Sequence, residues 1–500
     1  MKTGKIVLAL LLTLAMTAGL AMGASAATDK STVKIALGSE PDSLDPMLSA
    51  ATDTSSVMMN VFEGLLAFDS TGAFIPALAE SYEISGDNLT YTFHLKQGVS
   101  FHDGNPFTAA DVKYTYEKLA GLSGGEALSS TISAALEKVE TPDDYTAVLT
   151  LKQMDAGFLT KCTVSVCENG YEDNATTPIG TGPYKFVEYV VGQKIVLEKN
   201  ENYSTSLTRV PSVDRVEFVI MTDENARLMA LKTGDLDIAG ISARNESALG
   251  DGFEILTGPL NMVQVFALNN AVAPLDNEDV RKAICYAVDK QEIIDAVTEG
   301  VGTRVDSFLS PSMALYYNDS LTVYDQDIEK AKALLADAGY PDGFTLTCTV
   351  PSNYQTHVDT AQVLKDQLAK IGVTLEIEPV EWAQWLEGVY TNENYETTII
   401  GHSGKLDPQD FLNRFSSTYA RNYFNFSDAD YDALIAEASS TTDQAARAEI
   451  YKQCQQLLVD KAATVFIQDP GAVYAIAGRV SGFKIYPVSF YNLSDLTVAD

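Results

Sequence analysis

An α/β architecture split into two lobes is predicted by three observations. The chain has 500 residues, and a single core stops growing near roughly 250 to 300 residues, so two or three packed units are expected. Helical and strand periods alternate along much of the sequence, as in sheets flanked by helices. Midway, Asn261 to Lys290 (NMVQVFALNNAVAPLDNEDVRKAICYAVDK) changes period. Met262 to Leu268 is rich in β-branched and aromatic residues and suits a buried strand, and Asn269-Asn270 to Pro274 breaks it. Val280, Ala283, Ile284, Ala287 and Val288 then recur at helical spacing behind Asp and Glu. This switch reads as a crossover between lobes or as a strand-loop-helix within one, and the rest of the chain favours the crossover.

Residues 1–26 read as a secretory signal peptide: Lys2 and Lys5, an apolar run from Ile6 to Leu14, then Ala24-Ser25-Ala26. No cysteine precedes Cys162, so the signal lacks a lipid-attachment cysteine and a soluble, periplasmic product is expected. Thr32 to Leu37 is a strand, the Pro- and Asp-rich segment after it a long loop, and Thr54 to Leu66 a helix. In Asn88 to Lys96, Tyr91, Phe93 and Leu95 alternate with polar residues, the mark of a half-buried strand. Asp103-Gly104 and Asn105-Pro106 mark turns, and Thr108 to Asp111 resembles a capping box with Asp in place of Glu or Gln. Asp214 to Met221, Thr222 to Lys232 and Leu236 to Ala239 read strand, helix, strand. In the second half, helices end near Gly339 and Gly372, strands cover Phe344 to Val350 and the VTLEIEP run, and Ser427 to Ser439 and Asp443 to Val459 are amphipathic helices. Thr464 to Ala477 holds two strand-like runs that return the chain to the first lobe. There is no convincing internal repeat.

Composition narrows the function classes. With 46% apolar and 20% charged residues the chain is an ordinary globular protein, and after residue 22 no apolar run reaches the roughly 18 residues of a spanning helix. A formal net charge of −34 repels nucleic acid and anionic lipid surfaces. The five cysteines show neither CxxC nor paired metal spacing. Cys162 and Cys167 form either a small disulfide or two thiols, while Cys285 and Cys454 fit buried packing positions. Gly121 to Gly125 matches G-x-S-x-G but follows a helix instead of a strand, so it is not a nucleophile elbow. Histidines 94, 102, 357 and 402 have no zinc-ligand spacing. Asp428, Asp430 and Asp432 begin like a calcium loop, yet Ala433 takes the glycine position and no Glu closes it. No catalytic residue, metal or cofactor is indicated, and the chain is not expected to be an enzyme.

AESYEISGDNLTYTFHLKQGVSFHDGNPFTAADVKYTYEKL resembles the signature of extracytoplasmic solute-binding protein family 5, the dipeptide, oligopeptide and nickel-chelate receptors of ABC importers. EPDSLDP at Glu40 to Pro46, VFEGLL at Val61 to Leu66, GTGPYKF at Gly180 to Phe186, LKTGDLDI at Leu231 to Ile238 and Glu381-Trp382 agree in order along the chain. That resemblance implies a two-lobed periplasmic-binding-protein fold of type II, cluster C-like, with an extra subdomain in lobe I. The implied division is 27–70, 180–268 and 471–500 in lobe I, 71–179 as the extra subdomain, and 269–470 as lobe II. The implied partners are a small solute, an oligopeptide by default, and an inner-membrane ABC permease with its ATPase; a monomer is expected. An oligosaccharide, anionic solute or metal chelate is the alternative within the class, a secreted hydrolase the alternative outside it.

The same resemblance implies a ligand site between lobes that draws on Ala50, Thr52 and Asp53, on Asn261, Met262 and Gln264, on Trp382 and Trp385, and on His402, Ser403 and Lys405. For the tryptophans, core packing is the competing reading, and for His102 and Asp103 a structural turn is expected. Where peptide-binding relatives place a tryptophan and an amine-binding aspartate, this sequence has His402 and Lys405, and their carboxylate-binding arginine falls at Ile399. Lys405 therefore either attracts an anionic solute group or pairs with acids such as Asp407 or solvent; in either case an amine would need Asp53 or another acid.

Overall fold

Two large sheets organise the chain, seen in a computed structural model that describes residues 31–49, 51–203, 210–403 and 405–499. The expected signal peptide (1–26) and Ala50 lie outside the described residues. In the first sheet Thr32–Leu37 pairs in parallel with Arg215–Ile220 and Ile238–Gly240. Antiparallel strands extend it to seven: Lys194–Lys199 and Tyr184–Val190 on one side, Ala472–Ala477 and Phe253–Gly258 on the other. Alternation sends Val33, Ile35 and Leu37 into one core and Ala36 into another, so both faces are covered.

The second sheet has six strands in the order Thr303–Arg304, Val465–Asp469, Met262–Leu268, Thr397–Ser403, Thr345–Pro351 and Thr374–Val380. Met262–Leu268 is buried on both faces: Val263, Val265 and Ala267 join one core, Phe266 and Leu268 the other. This corrects the lobe I range 180–268, because Met262–Leu268 bonds only within the second sheet. Its apolar pattern signals burial without naming partners, which are set by non-local pairing with Thr397–Ser403 and Val465–Asp469. The chain thus crosses between sheets at 258–262 and returns at 469–472.

A third, four-stranded antiparallel sheet, Ala79–Ile84, Thr90–Leu95, Thr146–Leu151 and Leu136–Asp143, packs with helix Ala109–Ala120 and shares the first lobe's core. That helix starts at a true capping box, with Thr108 N–H donating to Asp111 at 2.7 Å. His102 braces this unit: Nδ1 accepts from Gly180 N–H (3.4 Å), and Nε2 lies 3.0 Å from Gly182 O and donates to it. Burial pushes its pKa down to about 4, so the ring is neutral. The helix expected to reach Leu66 spans only Thr52–Met58, because the carbonyls of Asn60 and Val61 are taken by Tyr184 and Gly182 N–H at 3.0 and 2.9 Å. Gly180 is required there, since an added Cβ would sit 2.0 Å from Val61 O. Cys162 and Cys167 are separate buried thiols.

Candidate ligand-binding cleft

Between the two large sheets lies a cleft of about 1040 Å³ with walls from both. Its floor is the double crossover, and the crossover is knotted at Asp469. This carboxylate is fully buried. Its Oδ1 accepts from Leu260 N–H (2.9 Å) and Gly471 N–H (3.1 Å), and its Oδ2 from Met262 N–H (3.2 Å) and the Ser310 hydroxyl (2.6 Å). Gly471 has φ +71°, and a Cβ there would meet Val301 at 3.0 Å, so the return strand passes tightly under the cleft.

The second lobe presents an aromatic wall. Trp382 stacks on Trp385 (5.2 Å between centroids, 10°), Trp385 on Tyr390 (6.1 Å, 19°), and Tyr354 meets Trp382 edge-on at 5.5 Å. Trp385 is packed, with Nε1 donating to Thr398 at 2.9 Å, whereas Trp382 is 38% exposed and faces the cleft. Beside them Arg414 lines the same wall and donates to the Tyr390 hydroxyl at 3.1 Å. On the opposite wall Asp53 occupies the first turn of Thr52–Met58, where the helix N-terminus favours an anion, and accepts from the Ser39 hydroxyl at 2.7 Å. Glu224 is committed to Ser242 and Asn245. Arg227 is committed to the carbonyls of Gly240, Met221 and Thr222.

Of the residues named from sequence, Asp53, Met262, Trp382, Trp385, His402 and Ser403 line this cleft. Four others do not, and each has a physical reason. Thr52 points to solvent from the helix start. Asn261 is fully buried in a left-handed conformation (φ 52°), its amide donating to Pro487 O (2.8 Å) and Lys405 O (3.2 Å); it joins the lobes at the crossover. Gln264 is covered by His357, whose Nδ1 lies 2.9 Å from the Gln264 amide. On the other side of the ring, His357 Nε2 lies 3.1 Å from Gly401 N–H. Lys405 is exposed outside the cleft, and Asp407 is not its partner, being held bidentate by Arg447 at 2.7 and 3.0 Å.

His402 pairs with Val263 across the strands and sets Nε2 2.7 Å from the Tyr423 hydroxyl. Burial, with help from Arg414, holds its pKa far below the usual histidine range, so it is a neutral polar group. Sequence reasoning missed Arg414, Tyr390, Tyr354 and His357. The first two follow runs that mark only a turn and a short helix, and nothing in their spacing points toward the cleft.

Residues 73–423 match the bacterial extracellular solute-binding proteins, family 5 Middle. Heme-binding protein A of Haemophilus influenzae is 31% identical, the alignment covering 93% of this chain and 91% of that one. Glutathione-binding protein GsiB of Pectobacterium atrosepticum is 29% identical over 93% and 94%. The periplasmic binding protein DppA of Helicobacter pylori, solved with the peptide STSA, superposes with a TM-score of 0.77 at 27% identity, covering 93% and 98%. The two sheets, the subdomain and the cleft between lobes are thus those of a known architecture, and the chain belongs to the family 5 bacterial extracellular solute-binding proteins.

Proposed function

We propose that this protein captures a short peptide between its lobes and hands it unchanged to an inner-membrane ABC permease and its ATPase. The observation that carries this reading is a cleft whose two walls belong to two sheets joined by a short double crossover, a geometry in which closure surrounds a solute and excludes water. A solute that touches both walls binds the closed state better than the open one, so it raises the closed population that a permease can read. Peptide chemistry suits the walls: aromatic rings for side chains, an acid on one lobe and a guanidinium on the other. It also accords with the names of the glutathione-binding relative and the peptide-bound neighbour. Export by the signal at 1–26 and a soluble, periplasmic, monomeric state complete the proposal.

A thermal-shift screen of residues 27–500 against free short peptides, oligosaccharides, dicarboxylates and nickel chelates tests it. A ligand at about a hundred times its dissociation constant stabilises the folded state by roughly 2.7 kcal/mol. Stabilisation by free peptides, recovered intact afterwards, supports the reading. Silence from peptides with a response to another class refutes the peptide assignment, and turnover of the ligand refutes the receptor role.

A further inference from the structure

The cleft carries two charges that the protein leaves without a charged partner. Among the described residues no carboxylate lies within 4.0 Å of Arg414 and no cation within 4.0 Å of Asp53. Each makes a neutral hydrogen bond that aims it: Arg414 to the Tyr390 hydroxyl at 3.1 Å, Asp53 from the Ser39 hydroxyl at 2.7 Å. Other charged groups at the cleft are spoken for. Arg244 pairs with Glu299 at 2.9 Å, Arg227 binds three backbone carbonyls, and Glu224 accepts from Ser242 and Asn245.

Position gives the two charges their meaning. Asp53 stands on the first lobe and Arg414 on the second, and both line the same cavity. Tyr390 occupies one nitrogen of Arg414 and stacks on Trp385, so the ring holds the guanidinium in place while leaving the rest of its planar fork for a carboxylate, which it matches in shape. Asp53, already fixed by Ser39, retains lone pairs for an ammonium.

Building on the peptide reading, we propose that the cleft is a split clamp: Asp53 on the first lobe takes the solute's ammonium and Arg414 on the second takes its carboxylate. Only a zwitterion then draws both lobes together. A solute blocked at one end grips one wall and leaves the other charge unmet, so it binds weakly and does not close the protein.

The test uses calorimetric titration and small-angle scattering on residues 27–500, with free tripeptides, their N-acetyl forms and their C-amides, against wild type, Arg414→Gln, Arg414→Lys and Asp53→Asn. Melting temperatures of the unliganded variants confirm folding. Free tripeptide is expected to lose roughly 10- to 100-fold in affinity on Arg414→Gln, the scale of a charge-assisted hydrogen bond, with partial recovery in Arg414→Lys. The C-amide is expected to bind wild type and Arg414→Gln alike, the N-acetyl form to bind wild type and Asp53→Asn alike, and only free tripeptide to shrink the radius of gyration. Equal losses for free and blocked peptides, or closure by a blocked one, overturn the clamp while peptide capture stands. Wild type that binds no tripeptide overturns peptide capture itself.

Discussion

Asp469→Asn tests whether the crossover is a structural unit. Three of the four donors to Asp469 are backbone N–H groups, of Leu260, Gly471 and Met262, which cannot reverse roles; only the Ser310 hydroxyl can turn to accept. Asparagine has one acceptor oxygen. Its best orientation keeps that oxygen on Leu260 and Gly471 and turns its NH2 toward Met262 N–H, leaving a buried donor facing a donor. An unmet buried donor costs about 1–3 kcal/mol, and the surviving bonds fall from charge-assisted strength, about 1.5–3 kcal/mol, to about 1 kcal/mol. Burying a neutral amide in place of a carboxylate offsets part of this, leaving about 3 kcal/mol of destabilisation. The chain's two tryptophans, Trp382 and Trp385, both lie in the second lobe, so urea unfolding followed by their fluorescence reports it. With a slope near 3 kcal/mol per molar urea the midpoint should fall by about 1 M. An unchanged midpoint at an unchanged slope would refute the view that this carboxylate holds the crossover.

Acid should weaken the fold through the buried histidines His102, His357 and His402. Burial pushes His102 and His357 from 6.5 down to about 4, so between these values the unfolded chain binds more protons than the native one. Stability is whole above pH 6.5 and falls as pH drops toward 4, by about 3 kcal/mol for each ring; melting temperature against pH measures it, and His357→Gln should flatten the fall. A profile with the same slope in that variant refutes the assignment. The tryptophans should separate: Trp385→Ala, which removes a side chain only 2% exposed, costs about 3–5 kcal/mol of stability. Trp382→Ala leaves stability within about 1 kcal/mol and weakens solute binding instead, as urea unfolding and calorimetry would read. Arg244 and Glu299 pair across the cleft mouth at 2.9 Å while 67% and 32% exposed, so Arg244→Ala should change solute affinity by no more than about fivefold; a larger loss would place that pair in the binding site.

The fold was legible where local pattern carries it. Strand Thr32–Leu37, the capping box at Thr108, and the helix after Asn277, whose side chain accepts from Asp279 N–H, follow from period and end chemistry. What pattern could not supply was partnership. Met262–Leu268 reads as buried from any angle, yet its sheet is chosen by residues more than a hundred positions away. The same limit governed the cleft. Asp53, Trp382 and His402 came from segments that resemble binding segments, and they do line it. Asn261, just before the favourable strand, and Gln264, within it, are turned inward, one by its left-handed backbone and one by the His357 ring. Lys405 promised a cation in the site but is exposed outside the cleft, and the second lobe's cation that lines it is Arg414, nine residues on.

Closure of such a cleft has to be driven from somewhere, and the protein's own contacts between lobes are modest. The exposed Arg244 and Glu299 pair contributes at most about 1 kcal/mol. On the other side, Ala156 N–H reaches Ser439 O at 3.3 Å and Arg447 reaches Ala156 O at 3.4 Å, long bonds beside a guanidinium already satisfied by Asp407. Shifting a two-state population from 1:99 to 99:1 takes about 5.5 kcal/mol of differential affinity. A solute that engaged one wall alone would add nothing to that difference, since it would bind open and closed forms equally. The difference must come from contacts made on both walls at once, and the unpaired charges of Asp53 and Arg414, set on opposite lobes, are the groups through which a zwitterionic peptide would supply it.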